Sequence, residues 1–75
     1  MYTIYTKTTC SYCVKAKELL NSKNLEYIEK NIENLEYRTE LLNIYPSVKT
    51  VPQIYLDDSL IGGYDSLLEH FKQTI

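Results

Sequence analysis

The sequence predicts an α/β domain: a four-stranded mixed sheet with three helices, in the order βαβαββα. Three observations predict it. Apolar residues recur with a period of about two in some segments and about 3.6 in others, the signatures of strands and helices. The first two strand-like segments are separated by a helical one, which calls for a parallel pair with a right-handed crossover. The last two are separated only by a tight turn, which makes them an antiparallel hairpin. Helices on both faces of such a sheet bury both of its sides.

Residues 2–6, rich in Tyr, Thr and Ile, read as the first strand. Lys7-Thr8-Thr9 is a polar connection. From Cys10 to about Ser22 the spacing turns helical: Cys13, Ala16, Leu19 and Leu20 share one face, while Lys15, Lys17 and Glu18 face water. Asn21, Ser22 and Asn24 mark the stop. Leu25 to Ile32 alternates as a second strand, with Tyr27 and Glu29 on one side and Ile28 and Lys30 on the other. Asn34 caps a second helix that turns Leu41, Leu42 and Tyr45 to the core and ends at Pro46. Val51 to Leu56 is a third strand, interrupted near its start by Pro52. Asp57-Asp58-Ser59 is a turn, Leu60-Ile61 a short fourth strand, and Gly62-Gly63 a break. Tyr64, Leu67, Leu68, Phe71 and Ile75 then recur at helical spacing. Its start offers two caps: Ser66 with Glu69 as a capping box, or Asp65.

The chain has 75 residues, 44% hydrophobic and 24% charged, which fits one globular domain near the lower size limit for folding without staples. No apolar run approaches the roughly 18 residues of a membrane span. The first residues are strand-like, with no basic start followed by an apolar stretch, so a cytoplasmic protein is expected. Net charge is −2 and the lysines are dispersed, which argues against a nucleic-acid partner and leaves room for a local anion pocket.

Chemistry concentrates in three short segments. The first is Cys10-Ser11-Tyr12-Cys13, the only cysteines of the chain, placed where a strand ends and a helix begins. Free backbone N–H groups and the helix dipole favour a thiolate at such a position, lowering its pKa below the usual value of about 8.5. Cys13 lies one turn further on the same face, so the two sulfurs can meet. Cys10, the more exposed, is expected to attack, and Cys13 to resolve. Three other readings compete. A zinc half-site lacks ligands, since only His70 remains. An inert packing pair is common for cysteines in general. A purely structural disulfide closing so short a loop constrains little.

The second segment is Thr50-Val51-Pro52. Proline at a strand start beside a reactive cysteine suggests a cis bond that would present the Val51 backbone to an extended substrate; an ordinary edge-strand proline is the equal alternative. The third is Gly62-Gly63-Tyr64-Asp65. Glycines let a ligand approach the backbone, the helix N-terminus offers donors to a carboxylate, and Asp65 can accept from an ammonium. Taken alone, this segment reads first as a hairpin end plus a helix cap, ahead of a ligand site. Lys7 and Lys49 are candidate partners for a thiolate or an anionic substrate group, and Tyr12 a candidate wall of the site; each is also an ordinary surface residue type.

Together these segments resemble the glutaredoxin family over nearly the whole chain and in the family's order. Tyr-Thr-Lys-Thr-Thr-Cys-Ser-Tyr-Cys (residues 5–13) is similar to the first strand and active site, Thr50-Val51-Pro52-Gln53-Ile54-Tyr55 to the cis-proline segment, and Ile61-Gly62-Gly63-Tyr64-Asp65 to the glycine-pair motif. The resemblance implies a thioredoxin-like fold and glutathione as cosubstrate. It implies Cys10 as nucleophile and Cys13 as resolving cysteine. Lys7, Tyr12 and Lys49 match positions lining the cysteinyl and glycine end of glutathione. Thr50, Val51 and Pro52 match the backbone-pairing segment, and Gly63, Tyr64 and Asp65 the γ-glutamyl end. A polar residue of the second helix also contributes in the family; here that is Arg38 or Thr39. Expected partners are glutathione and glutathionylated or disulfide-bonded proteins, with ribonucleotide reductase as a generic family substrate, and the chain is expected to be a monomer. One departure is Ser11, where most dithiol members have Pro. Some members with Ser there resemble iron–sulfur carriers in which two chains share a [2Fe–2S] cluster through the residue matching Cys10 and two glutathiones. Two rivals stand beside this expectation: an electron donor served by thioredoxin reductase, whose class lacks the Gly-Gly-Tyr-Asp type of site, and a cluster-carrying or scaffold protein.

Overall fold

In the structure, a computed structural model describing residues 1–73, seven elements follow the expected order. They are β1 (Tyr2–Thr6), α1 (Ser11–Ser22), β2 (Tyr27–Asn31), α2 (Leu35–Ile44), β3 (Gln53–Leu56), β4 (Ser59–Gly62) and α3 (Tyr64–Lys72). The strands form one sheet in the order β2-β1-β3-β4. β1 runs parallel to β2, with Tyr2 opposite Tyr27 and Thr6 opposite Asn31. It runs antiparallel to β3, with Ile4 opposite Ile54. This is the thioredoxin-like architecture, a mixed sheet with three helices.

Alternation along the two central strands sends side chains to both faces. On one face Ile4 and Ile54 meet Ala16 and Leu20 of α1 and Leu67 of α3, all fully buried. On the other, Tyr5 and Tyr55 pack edge to face, 5.9 Å between ring centres, against Leu41 of α2. Each fully buried Ile or Leu contributes roughly 1.5–3 kcal/mol, so these few residues supply much of the stability of so small a chain. Burial, with the Glu40 carboxylate nearby, pushes the Tyr5 phenol up to about 12.

Several boundaries depart from the sequence expectation, each for a local reason. β2 starts at Tyr27, not Leu25, because its partner β1 begins at Tyr2; Leu25 instead bonds back to the Leu20 carbonyl after Asn24 takes a left-handed turn. β3 starts at Gln53, because Pro52 has no N–H for a ladder and the pairing with Tyr5 ends there. β4 is longer than expected, and a bulge leaves Ile61 between the pairs Tyr55–Leu60 and Ile54–Gly62. Lys17 was expected in water but is half-buried, its ammonium bonded to the Glu29 carboxylate at 3.1 Å. Leu42 was expected in the core but is exposed, since α2 turns only Leu41 fully inward. Asn34 does cap α2, accepting the Glu36 N–H at 2.9 Å, and Tyr45, before Pro46, closes that helix. The residue capping α3 is Gly63, so Asp65 and Ser66 lie inside the first turn and neither is the cap. Asp65 there complements the helix dipole instead. Ile75 lies outside the described residues.

Candidate active site

The loop leaving β1 carries the reactive segment, and it is tied down from the neighbouring strand. Because Thr6 stands opposite Asn31, the residues just beyond each strand end come together. The Thr8 N–H donates to the Glu33 carboxylate at 2.7 Å, and the Asn31 amide donates to the Thr8 hydroxyl at 3.2 Å. The Glu33 N–H in turn donates to Asn31 Oδ1 at 2.8 Å. The backbone bond from Thr8 holds the Glu33 carboxyl below the usual carboxylate range, with the nearby Lys7 charge a smaller cause. Asn31 and Glu33 escaped the sequence reading. Only the parallel register brings them beside Thr8, and register is not written in residue spacing.

Cys10 follows in an extended conformation and is the N-cap of α1. Its sulfur accepts the Cys13 N–H at 3.1 Å. Such a bond, with the dipole of a twelve-residue helix behind it, favours negative charge on that sulfur when it is reduced. Cys13, one turn on, is 1% exposed, while Cys10 is half-buried. The two are joined as a disulfide, their Cα atoms 5.2 Å apart. The two sulfurs therefore meet, as their spacing of one helical turn allows.

The Val51–Pro52 peptide bond is cis, which decides between the two readings of Pro52. Pro52 is buried, and the Val51 carbonyl oxygen lies 3.7 Å from the Cys10 sulfur. The Gln53 side chain, itself buried, donates to the Thr50 carbonyl at 2.9 Å and holds this segment in place.

Thr50 and Val51 form the wall common to two clefts. One, about 240 Å³, is lined by the cations Lys7, Arg38 and Lys49 and by the apolar side chains of Ile32, Leu41, Leu42, Val48 and Val51. Leu42 is exposed because it walls this cleft. The other, about 470 Å³, is lined by Tyr12, Pro52, Gly63, Tyr64, Asp65 and Ser66. Every expected glutathione-site residue thus falls on one of the two clefts, with Val51 beside the Cys10 sulfur where they meet. Of the two candidates on α2, Arg38 lines the first cleft, whereas Thr39 faces a separate groove with Leu35 and Ile44.

The glycine pair has a steric reason. Gly62 has φ +122°, and a Cβ there would stand 2.7 Å from the Ser66 hydroxyl. At Gly63 a Cβ would meet only the Pro52 carbonyl, at 3.6 Å, so that position is kept open toward the second cleft. Tyr12, more than half exposed, lies against Tyr64 at 6.0 Å between ring centres. Beneath α1, the fully buried Thr6 donates its hydroxyl to Glu29 at 2.7 Å. Burial opposes ionisation of Glu29, but the bonds from Thr6 and Lys17 outweigh it and hold its carboxyl below the usual range.

Among the described residues no group of three or more His, Cys, Asp or Glu stands together to hold a metal ion. A [2Fe–2S] cluster shared by two chains would need only Cys10 from each, as a thiolate. In this structure that sulfur is bonded to Cys13, so the disulfide form does not fit a cluster ligand.

The family model described as glutaredoxin matches residues 2–61. Glutaredoxin 3 of Escherichia coli K12 is 44% identical over 64 residues, covering 85% of this chain and 77% of that protein. Glutaredoxin 1 of Rickettsia conorii is 39% identical over 72 residues, covering 93% and 71%. Among solved structures, a buckwheat glutaredoxin–glutathione complex superposes with a TM-score of 0.80 at 25% identity, covering 96% of this chain and 68% of that one. A thioredoxin-like protein superposes with a TM-score of 0.81 at 29% identity, each chain covered in full. With its paired cysteines, its fold and these relatives, the chain belongs to the glutaredoxin family and is a thiol–disulfide oxidoreductase.

Proposed function

We propose that the protein is a glutathione-dependent reductase of protein–glutathione mixed disulfides and of protein disulfides, working in the cytoplasm. The observation that carries this reading is the pair of clefts meeting beside the Cys10 sulfur. One offers cations suited to the glycine carboxylate of glutathione. The other offers Asp65 and the N-terminus of α3, suited to an ammonium and a carboxylate. Between them, the Val51 backbone stands where the cysteinyl residue of an extended tripeptide would pass. A glutaredoxin of the same fold is known bound to glutathione. No step requires an iron–sulfur cluster.

The Cys10 thiolate attacks the glutathionyl sulfur of the mixed disulfide. A bond forms between those two sulfurs, the disulfide bond between the glutathionyl sulfur and the substrate cysteine sulfur breaks, and the released protein thiolate takes a proton from water. A glutathione thiolate then attacks the glutathionyl sulfur on Cys10, giving glutathione disulfide and regenerating the Cys10 thiolate. With a protein disulfide, Cys10 forms a mixed disulfide with one substrate sulfur. The Cys13 thiolate then attacks the Cys10 sulfur, releasing reduced substrate and leaving the Cys10–Cys13 disulfide seen here. Two glutathione molecules reduce that disulfide.

The experiment compares Cys10→Ser and Cys13→Ser on a glutathionylated peptide and on a peptide disulfide. Cys10→Ser should be inactive on both, while Cys13→Ser should keep only the first reaction. A Cys13→Ser protein dead on the glutathionylated peptide would contradict this division of roles.

The full-length match to a thioredoxin-like protein supports a second reading, a donor reduced by thioredoxin reductase. The γ-glutamyl-type cleft around Gly63 and Asp65 weighs against it.

A further inference from the structure

We propose that Tyr12 and Lys15, on the exposed side of α1 next to Cys10, dock the polypeptide half of the disulfide substrate and favour substrates with a carboxylate side chain beside the target cysteine. The proposal rests on the reading of Cys10 as the attacking sulfur.

A mixed disulfide has two halves, and the clefts described above accommodate the glutathione half. The polypeptide half must leave on another side. Neither Val14 nor Lys15 lines either cleft; Tyr12 lines the second and carries the Lys15 ammonium over its ring, so it borders both halves of the substrate. Both are exposed, and the Val14 N–H bonds to the Cys10 carbonyl at 3.2 Å, which places Val14 one turn above the nucleophile. Val14 at 47% exposure and Tyr12 at 55% are large apolar groups left open to solvent near the start of the helix that Cys10 caps.

Lys15 supplies the charge. Its ammonium lies 5.1 Å from the centre of the Tyr12 ring. Glu18 follows three residues later, within reach for an i,i+3 pair, yet the ammonium leans back toward the N-terminus of α1. Among the described residues, the lysines in ion pairs are Lys17, Lys30 and Lys72, and Lys15 is in none. The ring attracts the ammonium without neutralising it. On the other side the same ring is braced by Tyr64. A cation over an exposed aromatic, on the helix that Cys10 caps, complements a carboxylate carried beside the target cysteine. The gain is that of a charge pair at an interface rim: modest, salt-sensitive and expressed largely in the rate of encounter.

The test uses the reduced protein in single-turnover reactions with two glutathionylated peptides, identical except for Glu or Lys next to the modified cysteine. The readout is the ratio of their rates, which cancels any change in the Cys10 thiolate fraction. The wild-type protein should favour the Glu peptide by about two- to fivefold at low salt, falling toward one at high salt. Lys15→Glu should invert the ratio, and Lys15→Met should bring it near one. A wild-type ratio near one, or the same ratio in Lys15→Glu, would overturn the proposal. Failure of the reduced protein to take glutathione from either peptide would overturn the reading of Cys10 and the proposal with it.

Discussion

The Cys10 sulfur accepts the backbone N–H of Cys13 at 3.1 Å, so the residue that carries the chemistry is also the N-cap of the helix behind it. Serine is a good N-cap and alanine a poor one. Under reducing conditions, Cys10→Ser should therefore unfold within a few tenths of a kcal/mol of wild type, whereas Cys10→Ala should lose about 1 kcal/mol. Urea melts of the two variants, both without activity, separate the structural role of this atom from its chemical one.

The Thr6–Glu29–Lys17 network should make stability depend on acid. The Glu29 carboxyl is held below its ordinary range in the folded protein, so its contribution is complete above the unfolded-state value. That contribution is lost as pH falls through the lower, folded value. Melting the protein from pH 6 downwards should show a loss below about pH 4.5 that is shallower in Glu29→Gln. Thr6→Val, which removes the buried donor, should cost on the order of 1 kcal/mol at neutral pH. Parallel acid profiles for wild type and Glu29→Gln would contradict the assignment.

How much of this was legible beforehand varies with the kind of interaction. Local signals were readable: Asn34 caps α2, and Leu67 and Phe71 mark the buried stripe of α3. The order of elements followed from the switch in period, and the reactive segment from its cysteines at a strand–helix junction. What escaped depends on register and on neighbours distant in sequence. Lys17 looked like a solvated lysine because nothing near it shows that Glu29 lies across the β1–β2 crossover. Asp65 and Ser66 both looked like caps because the backbone of Gly63, which starts the helix, carries no side-chain signal. Arg38 and Thr39 are adjacent in sequence, and only the rotation of α2 against the sheet separates them.

Gly62 should be far less replaceable than Gly63. At Gly62, alanine meets both a φ of +122° and the Ser66 side chain, so Gly62→Ala should lose roughly 1–3 kcal/mol. At Gly63 the backbone is extended and the nearest atom would be 3.6 Å away, so Gly63→Ala should fold with a loss of about 1 kcal/mol or less. Denaturant melts of the pair measure the difference directly.

The cationic cleft gives a sharp contrast on one helix. Arg38→Gln should raise the KM for a glutathionylated substrate by about three- to tenfold, the loss of one exposed charge-assisted contact, with little change in kcat. Thr39→Ala, one residue along but in a different groove, should leave both constants within experimental scatter. Equal effects at the two positions would mean that the cleft lined by Lys7 and Lys49 does not hold the substrate.

The most direct test of the central claim is turnover of a glutathionylated peptide with glutathione and glutathione reductase, run beside the same reaction driven by thioredoxin reductase alone. The account predicts fast glutathione-dependent turnover that needs Cys10 and survives loss of Cys13. Turnover only with thioredoxin reductase would contradict it, and would leave the cleft around Gly63 and Asp65 as no more than the start of α3.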